Sequence, residues 1–281
     1  MARDAGSTLR GDDGAGKSLL EDDSFSGRQF ITALARGLDV MAAFRIGDPP
    51  LSNQELAKRC GLPRPTISRI THTLTELGYL TYHEGFGCYE VGGATLALGH
   101  IARGSFEPLD SARQEMDKLA AFSNANVGIG IRDRLEMAYL FVCKSPSGIG
   151  LRFETGSKVP IAQTAMGRAY LGASAPADRD TLLARLGMRY PDEADAIRQI
   201  ADEAVFQFEQ VGFCTSTGSW HVDVHGIAAP IPFSLNADPL VLNCGAPKSL
   251  MSESFMVDEV APRLIETAQS IGRAMQASAA R

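Results

Sequence analysis

The sequence predicts an α+β fold in which an N-terminal winged helix-turn-helix is joined by a helical linker to a C-terminal domain of antiparallel strands and helices. Three observations lead there. Between residues 31 and 78, three apolar-periodic segments are separated by helix-stopping turns, and the second opens on a capping box. Directly after them, "YLTYHEGFGCYEV" alternates apolar and polar residues on both sides of a glycine-rich centre, the pattern of a hairpin. Beyond residue 124, short strand-like runs open as an antiparallel meander and are followed by helices and further strands. The expected division is a disordered tail over 1–26, the winged helix-turn-helix over 27–91, the linker over 92–107 and the second domain over 108–281.

The first helix is expected from Ile31, Leu34, Leu38, Met41 and Phe44, spaced three or four apart on one face, and "GDPP" ends it. In the second, Ser52 is the N-cap, Glu55 stands three residues on, and Leu51 and Leu56 take the two positions of a hydrophobic staple. Gly61 supplies the left-handed residue that stops this helix. "LPRP" leads into the third, where Pro65 is tolerated because first-turn N–H groups have no intrahelical partner. Along that helix Ile67, Ile70, Thr71, Leu74 and Leu77 share one face, which leaves Pro65, Ser68, Arg69, His72 and Glu76 opposite. Gly78 ends it, and the hairpin has its tip at Glu84 to Gly87.

"TLALGHIARG" reads as a short linker helix and "LDSARQEMDKLAAFS" as a longer one, with Leu109, Ala112, Met116, Leu119 and Ala120 on one face. The strand-like runs "NVGIGI", "EMAYLFVC" and "GLRFE" follow, separated by "RDRL" and "KSPSG". Helices are expected at 163–171, 177–186 and 192–211, and strands at "GFCTS", "GIAAPI" and "PLVLNCG". An amphipathic helix carrying Val260, Leu264, Ala268, Ile271 and Met275 closes the chain.

With 281 residues, 44% hydrophobic and 21% charged, the chain has material for one large core or two smaller ones. It shows no apolar segment of signal-peptide length and no run near the roughly 18 to 20 apolar residues that span a bilayer, so a cytoplasmic location and no membrane partner are expected. Five scattered cysteines, odd in number and without a C-x-x-C pair, suit reduced thiols acting as small buried hydrophobes rather than a disulfide frame or zinc cluster. The net charge of −6 argues against a nucleic-acid partner, yet residues 28–103 carry 8 basic and 6 acidic side chains. Lys58, Arg59, Arg64 and Arg69 fall in a window from Leu56 to Thr75 that contains no acid, the local footprint a phosphate backbone selects. The outward face of the third helix is polar and basic, without the aromatic or aliphatic anchor of a protein-binding face, and so points to double-stranded DNA. Arg64 and Arg69 suit phosphates or guanine O6 and N7, while Thr66, Ser68 and His72 suit phosphates or base edges.

"GDDGAGKS" at 11–18 satisfies the phosphate-loop pattern G-x-x-x-x-G-K-[ST]. No buried strand precedes it and no sustained helix follows, so it is expected to belong to the tail, and no cofactor is expected.

"ALARGLDVMAAF", "LSNQELAKRCGLPRPTISRITHTLTELGYL" and "CYEVGGATLALG" resemble, in order and spacing, the winged-helix domain of the IclR family of bacterial transcription regulators. "TGSKVPIAQTAMGRAYLGA" resembles that family's G-x-x-x-P-x-x-x-T-A-x-G-[KR] segment, and "HGIAAPI" with "LVLNCGAP" resembles its two C-terminal strands that face the effector. The resemblance covers about residues 28–276 and departs at the hairpin, which usually carries Arg or Lys; here only His83 is a potential cation. It implies a GAF-like, curved six-stranded sheet in the second domain, a homodimer or tetramer that reads a pseudo-palindrome, and a small organic acid or related metabolite as effector of a catabolic operon. It also implies effector contacts at Gln163, Thr164, Ala165, Met166, Gly226, Ile227, Asn243 and Gly245, with Ser216 and Trp220 from the intervening loop.

In "HVDVH", a strand would put His221, Asp223 and His225 on one face, a ligand set known for zinc or iron. Three ligands crowded on one strand cannot surround an ion, so no metal is assigned. Neither a G-x-S-x-G elbow nor an H-E-x-x-H occurs, and Cys143, Cys214 and Cys244 stand in apolar contexts that raise a thiol pKa, so no catalytic residue is expected. The alternative is a metal-dependent or nucleotide-binding α+β enzyme whose winged helix binds protein.

Overall fold

The computed structural model describes residues 30–45, 47–104, 108–148, 151, 153–235 and 238–279, so "GDDGAGKS" lies outside the described residues. The chain divides into two compact units, the boundary falling between Phe106 and Glu107.

In the first unit, α1 (Thr32–Ala42) is followed by a two-residue strand β1 (Leu51–Ser52), α2 (Asn53–Cys60), α3 (Arg64–Glu76), β2 (Leu80–His83), β3 (Cys88–Val91) and α4 (Gly93–Gly104). The capping box forms: Ser52 Oγ accepts from Glu55 N at 3.2 Å. Leu51 and Leu56, the staple pair, are both buried. Gly61 closes α2 at φ +65°, a conformation glycine adopts at no steric cost. Strand β3 sits between β1 and β2, all antiparallel, with Leu51 opposite Tyr89 and Tyr82 opposite Tyr89 on the other side. The core is Val40, Leu51, Leu56, Cys60, Ile67, Leu80 and Tyr89.

Two expectations fail here. Helix α1 buries Ala35, Asp39 and Val40, whereas Ile31, Leu34 and Leu38 are exposed. Helical spacing locates an apolar stripe but does not say what covers it, and the small residues beside this one let α1 pack through the adjacent face. Leu77 also points to solvent, because it is the C-cap of α3 and stands past the last inward turn.

The second unit opens with α5 (Pro108–Ser123), then β4 (Asn126–Asp133), β5 (Glu136–Cys143) and β6 (Lys158–Pro160). Helices α6 (Ala165–Ala173), α7 (Pro176–Arg189) and α8 (Ala194–Val211) follow, then β7 (Cys214–Thr217), β8 (Val224–Leu235) and β9 (Asp238–Pro247). A helical turn α9 (Glu253–Phe255) and a π-turn (Met256–Val260) lead into α10 (Ala261–Ala279). The six strands form one antiparallel sheet in the order β6-β5-β4-β9-β8-β7. Helices α5 and α10 pack on one face and α6 on the other, with α8 behind α6. The α5/α10 layer is close: a Cβ at Gly272 would stand 2.5 Å from Pro232 Cγ on β8.

The expected strand "GLRFE" is not one. Leu151 and Phe153 are buried, but neither is in a strand, and the edge of the sheet is Lys158–Pro160 instead. Their alternation reports two side chains driven into the core from an irregular segment. Its backbone is held locally, with Leu151 O accepting from Asn126 Nδ2 and from Phe153 N.

Candidate functional site

Helix α3 is fixed from beneath and open above. Thr71, fully buried, donates to Ile67 O at 3.0 Å and to Asn53 Oδ1 at 3.1 Å, which ties α3 to the start of α2. Ile67 fills the core below. On the other side Arg64, Ser68, Arg69 and His72 are exposed and Thr66 is half-buried. Among the described residues no ion pair engages Lys58, Arg64 or Arg69.

Arg59 is different. Its Nη2 reaches Asp48 Oδ1 at 3.1 Å, Nη1 binds Asp48 Oδ2 and the Ala43 carbonyl, and Nε stands 3.6 Å from Glu55 Oε1. The guanidinium holds the Asp48 carboxyl below the usual carboxylate range. Asp48 lies just upstream of the acid-free window, so sequence counting credited to the surface a cation that the fold uses internally. The hairpin turn spans Glu84–Gly87, with Gly87 at φ +63°, and displays Phe86 at 85% exposure. Its one potential cation, His83, has Nε2 3.1 Å from Glu90 Oε1.

In the second unit, the α6-facing side of the sheet carries a run of glycines. Opposed residues in an antiparallel ladder share a face. The row Ser216–Gly226–Gly245–Asn126 therefore lies beside the row Cys214–Ala228–Asn243–Gly128. Glycine leaves the backbone open to close approach. A Cβ at Gly128 would meet the Tyr139 ring at 2.5 Å, one at Gly130 would meet Met166 Sδ, and one at Gly226 would stand 3.4 Å from Ala165 Cβ. Over this floor Tyr139 stacks on Phe153 with ring centroids 4.9 Å apart, and Phe153 on Trp220 at 5.6 Å. Asn243 Nδ2 donates to Tyr139 Oη at 3.2 Å. Thr164 caps α6, accepting from Gly167 N and donating to Pro160 O, while Ser216 donates to Gln163 O at 2.7 Å.

Two domain models match this chain: the IclR helix-turn-helix domain over residues 33–84 and the bacterial transcriptional regulator IclR C-terminal domain over 105–273. The chain belongs to the IclR family. It is 32% identical over 256 residues to the HTH-type transcriptional regulator TsaQ1/TsaQ2 of Comamonas testosteroni, covering 90% of this chain and 91% of that one. The p-hydroxybenzoate hydroxylase transcriptional activator of Acinetobacter baylyi is 25% identical over 260 residues, covering 86% and 91%. The crystal structure of an IclR family regulator from Brucella abortus is similar at TM-score 0.76 and 38% identity, covering 89% of this chain and 94% of that one. This chain is thus a helix-turn-helix transcription regulator with the IclR α+β architecture.

Of the effector residues expected in this IclR chain, the structure brings Ala165, Met166, Ser216, Gly226, Asn243 and Gly245 to one face, with Gln163, Thr164 and Trp220 at its margin. The hydroxyls of Thr164 and Ser216 are already engaged in capping and in bracing the loop. Ile227 is a correction: as the neighbour of Gly226 it must point to the opposite face. There it pairs with Cys244, whose Sγ contacts Ser123 of α5. Tyr139, Leu151 and Phe153 stand over the same face and were not among the expected residues, each looking like core in the sequence; the glycines at 128 and 130 inside a strand were the available signal. Arg168 was missed as well. It donates to Ala162 O, Thr215 O and Ser219 Oγ, holding the loop before Trp220 against α6.

The "HVDVH" residues do not share a strand face, because the strand begins only at Val224. His221 packs on Trp220, Asp223 pairs with Lys248 at 2.7 Å and His225 Nδ1 lies 2.9 Å from Met251 O. Among the described residues no three His, Cys, Asp or Glu side chains gather to hold a metal. Burial pushes the Cys143, Cys214 and Cys244 thiols up to about 12 and Cys60 up to about 11. Cys88 departs from the expectation that every cysteine is buried: it lies half-exposed at the base of the hairpin turn. No described helix is long and apolar enough to cross a membrane.

Proposed function

We propose that this protein is a ligand-responsive regulator in which α3 enters a major groove of double-stranded DNA and the α6-facing side of the sheet binds a small effector. The observation that carries the first half is the contrast between Arg59, fully engaged in the fold, and Arg64 and Arg69, exposed on the outer face of α3 and without ion pairs among the described residues. Arg64 and Arg69 serve phosphates or guanine edges, and Thr66, Ser68 and His72 serve phosphates or base edges. The hairpin, without Lys or Arg, adds little phosphate binding.

A homodimer, or a tetramer built from two, would read a pseudo-palindrome, and the exposed Ile31 before α1 and Leu34 and Leu38 on it, with Leu96 and Ile101 of α4, offer apolar surface for self-association. The effector belongs to the small organic acids and related metabolites of a catabolic operon, a reading supported by the hydroxybenzoate-related name of the Acinetobacter relative. Ala165 and Met166 at the N-terminus of α6, with Gln163, Gly226, Asn243, Gly245 and Trp220, would line its site in a cytoplasmic protein without cofactor or catalytic residues. The effector acts only through its different affinities for two arrangements of the dimer. Arg64→Ala and Arg69→Ala should each weaken binding to a duplex selected from a random-sequence pool while leaving effector-induced thermal shifts intact. Unchanged duplex affinity in both would overturn the reading of α3.

A further inference from the structure

The tip of the β2–β3 hairpin displays its largest side chain to solvent. Phe86, at 85%, is the most exposed large apolar residue among the described residues. The turn that carries it is fixed: Phe86 N and Gly87 N both donate to His83 O, at 3.1 and 2.9 Å. The arms below are paired from Leu80 and Val91 up to His83 and Cys88, and the Tyr82 and Tyr89 rings stand 4.8 Å apart between them. An aromatic ring is thus held out in water on a preformed support. Seating such a ring in a recess removes about 150–250 Å² from water, and the support leaves little main chain to be ordered on binding.

Charge decides which surface fits. Residues 79–91 contain Glu84 and Glu90 and neither Lys nor Arg; Glu84 is exposed, and Glu90 Oε1 lies 3.1 Å from His83 Nε2. Phosphates repel such a tip. The outer face of α3 joins cations and hydroxyls without an apolar anchor, a composition for DNA, whereas the tip joins an apolar anchor to acids without a cation, a composition for protein. A second copy of this chain is a poor match, since residues 104–281 carry 16 basic and 21 acidic side chains and the acid-free basic window Leu56–Thr75 is the one α3 turns to the duplex. The complement is a cationic protein surface around an apolar recess. It lies beside the duplex, because the hairpin and α3 share one core through Ile67, Leu80 and Tyr89. Proteins seated on DNA are cationic along that contact. Where a transcription regulator works, at a promoter, the protein on the adjacent DNA is RNA polymerase.

We propose that the β2–β3 tip is a docking surface for RNA polymerase held on the neighbouring DNA, with Phe86 seated in an apolar recess and Glu84 facing the cations around it. This rests on the reading of α3 as the DNA-binding face. It gives the wing a protein to hold instead of a phosphate.

A duplex selected from a random-sequence pool with the full-length protein is placed upstream of a weak promoter at spacings stepped by single base pairs. Binding of purified bacterial RNA polymerase holoenzyme is then followed by footprinting with and without the regulator. The wild-type protein should tighten polymerase binding about tenfold at spacings that recur every helical turn, about 10.5 base pairs. Phe86→Ser should cut that gain to about twofold or less, while binding the duplex alone within about twofold of wild type and with an unchanged salt slope. Weaker binding of Phe86→Ser to the duplex alone would overturn the proposal by placing the tip on DNA. A gain that survives Phe86→Ser, or no gain at any spacing, would overturn it while leaving α3 as the DNA-binding face. Failure of the wild-type protein to select any duplex would remove both the proposal and the reading of α3 beneath it.

Discussion

Arg59→Ala separates the charge that builds the first unit from the charge that faces the groove. The Arg59 and Asp48 side chains are 21% and 18% exposed and share two N–H···O contacts, and Arg59 also satisfies the Ala43 carbonyl. Exposed ion pairs contribute about 0–1 kcal/mol, and removing one partner of a fully buried pair costs about 3–5 kcal/mol. A mostly buried pair with this geometry falls between, so Arg59→Ala should cost about 2 kcal/mol and lower the Tm of a unit this size by roughly 10 °C. Thermal unfolding of wild type, Arg59→Ala, Asp48→Asn and the double variant gives the coupling, expected at about 1–2 kcal/mol. The sign with pH is fixed by Asp48, whose folded-state value is lowered, chiefly by its hydrogen bond to Arg59. The pair's stabilisation is complete above about pH 4 and is lost as pH falls through the lowered folded-state value, and Arg59→Ala should flatten that acid limb. Additive single variants, or an Arg59→Ala protein with unchanged Tm and weakened DNA binding, would refute the assignment of Arg59 to the fold.

Gly167→Ala should destabilise the second unit by about 3 kcal/mol, because a Cβ would run into the Ile161 backbone, which cannot yield as a flexible side chain would; a wild-type unfolding curve would contradict this. In a thiol-reagent time course near pH 8, Cys88 should react first and the four buried cysteines only on unfolding, since burial has raised their thiols to about 11 or 12 and little thiolate is present; Cys88→Ser should abolish the fast phase. Phe86→Lys places a cation at the hairpin tip and should steepen the salt dependence of duplex binding by about 0.9 per subunit if the wing reaches a phosphate; an unchanged slope would show that it does not.

The first unit was legible because its signals are local. Ser52 and Glu55, Gly61, Gly78 and the hairpin glycines act through backbone geometry within a few residues, and each stands where the sequence puts it. What failed was long-range. Whether Ile31, Leu34 and Leu38 face a core is decided by partners dozens of residues away. The Arg59–Asp48 pair is made by a turn that charge counting does not see. In the second unit, strand spans were readable from alternation at "EMAYLFVC", but the same alternation misled at Leu151 and Phe153, where burial is not accompanied by pairing. On the α6-facing side of the sheet, the resemblance supplied Gly226, Asn243 and Gly245. It did not supply Tyr139 or Phe153, whose part depends on which strand lies beside which. Period-two geometry alone, once the strand is known, moves Ile227 to the other side of the sheet.

The central claim, that the outer face of α3 holds DNA, is tested most directly by the slope of log Kobs against log[salt] for a selected duplex, measured with wild type and with the Arg64→Ala/Arg69→Ala double variant. Each phosphate contact contributes about 0.9 to the magnitude of that slope, so the double variant should bind more weakly and with a slope reduced by up to about 1.8 per subunit. A wild-type slope and affinity in the double variant would contradict the account.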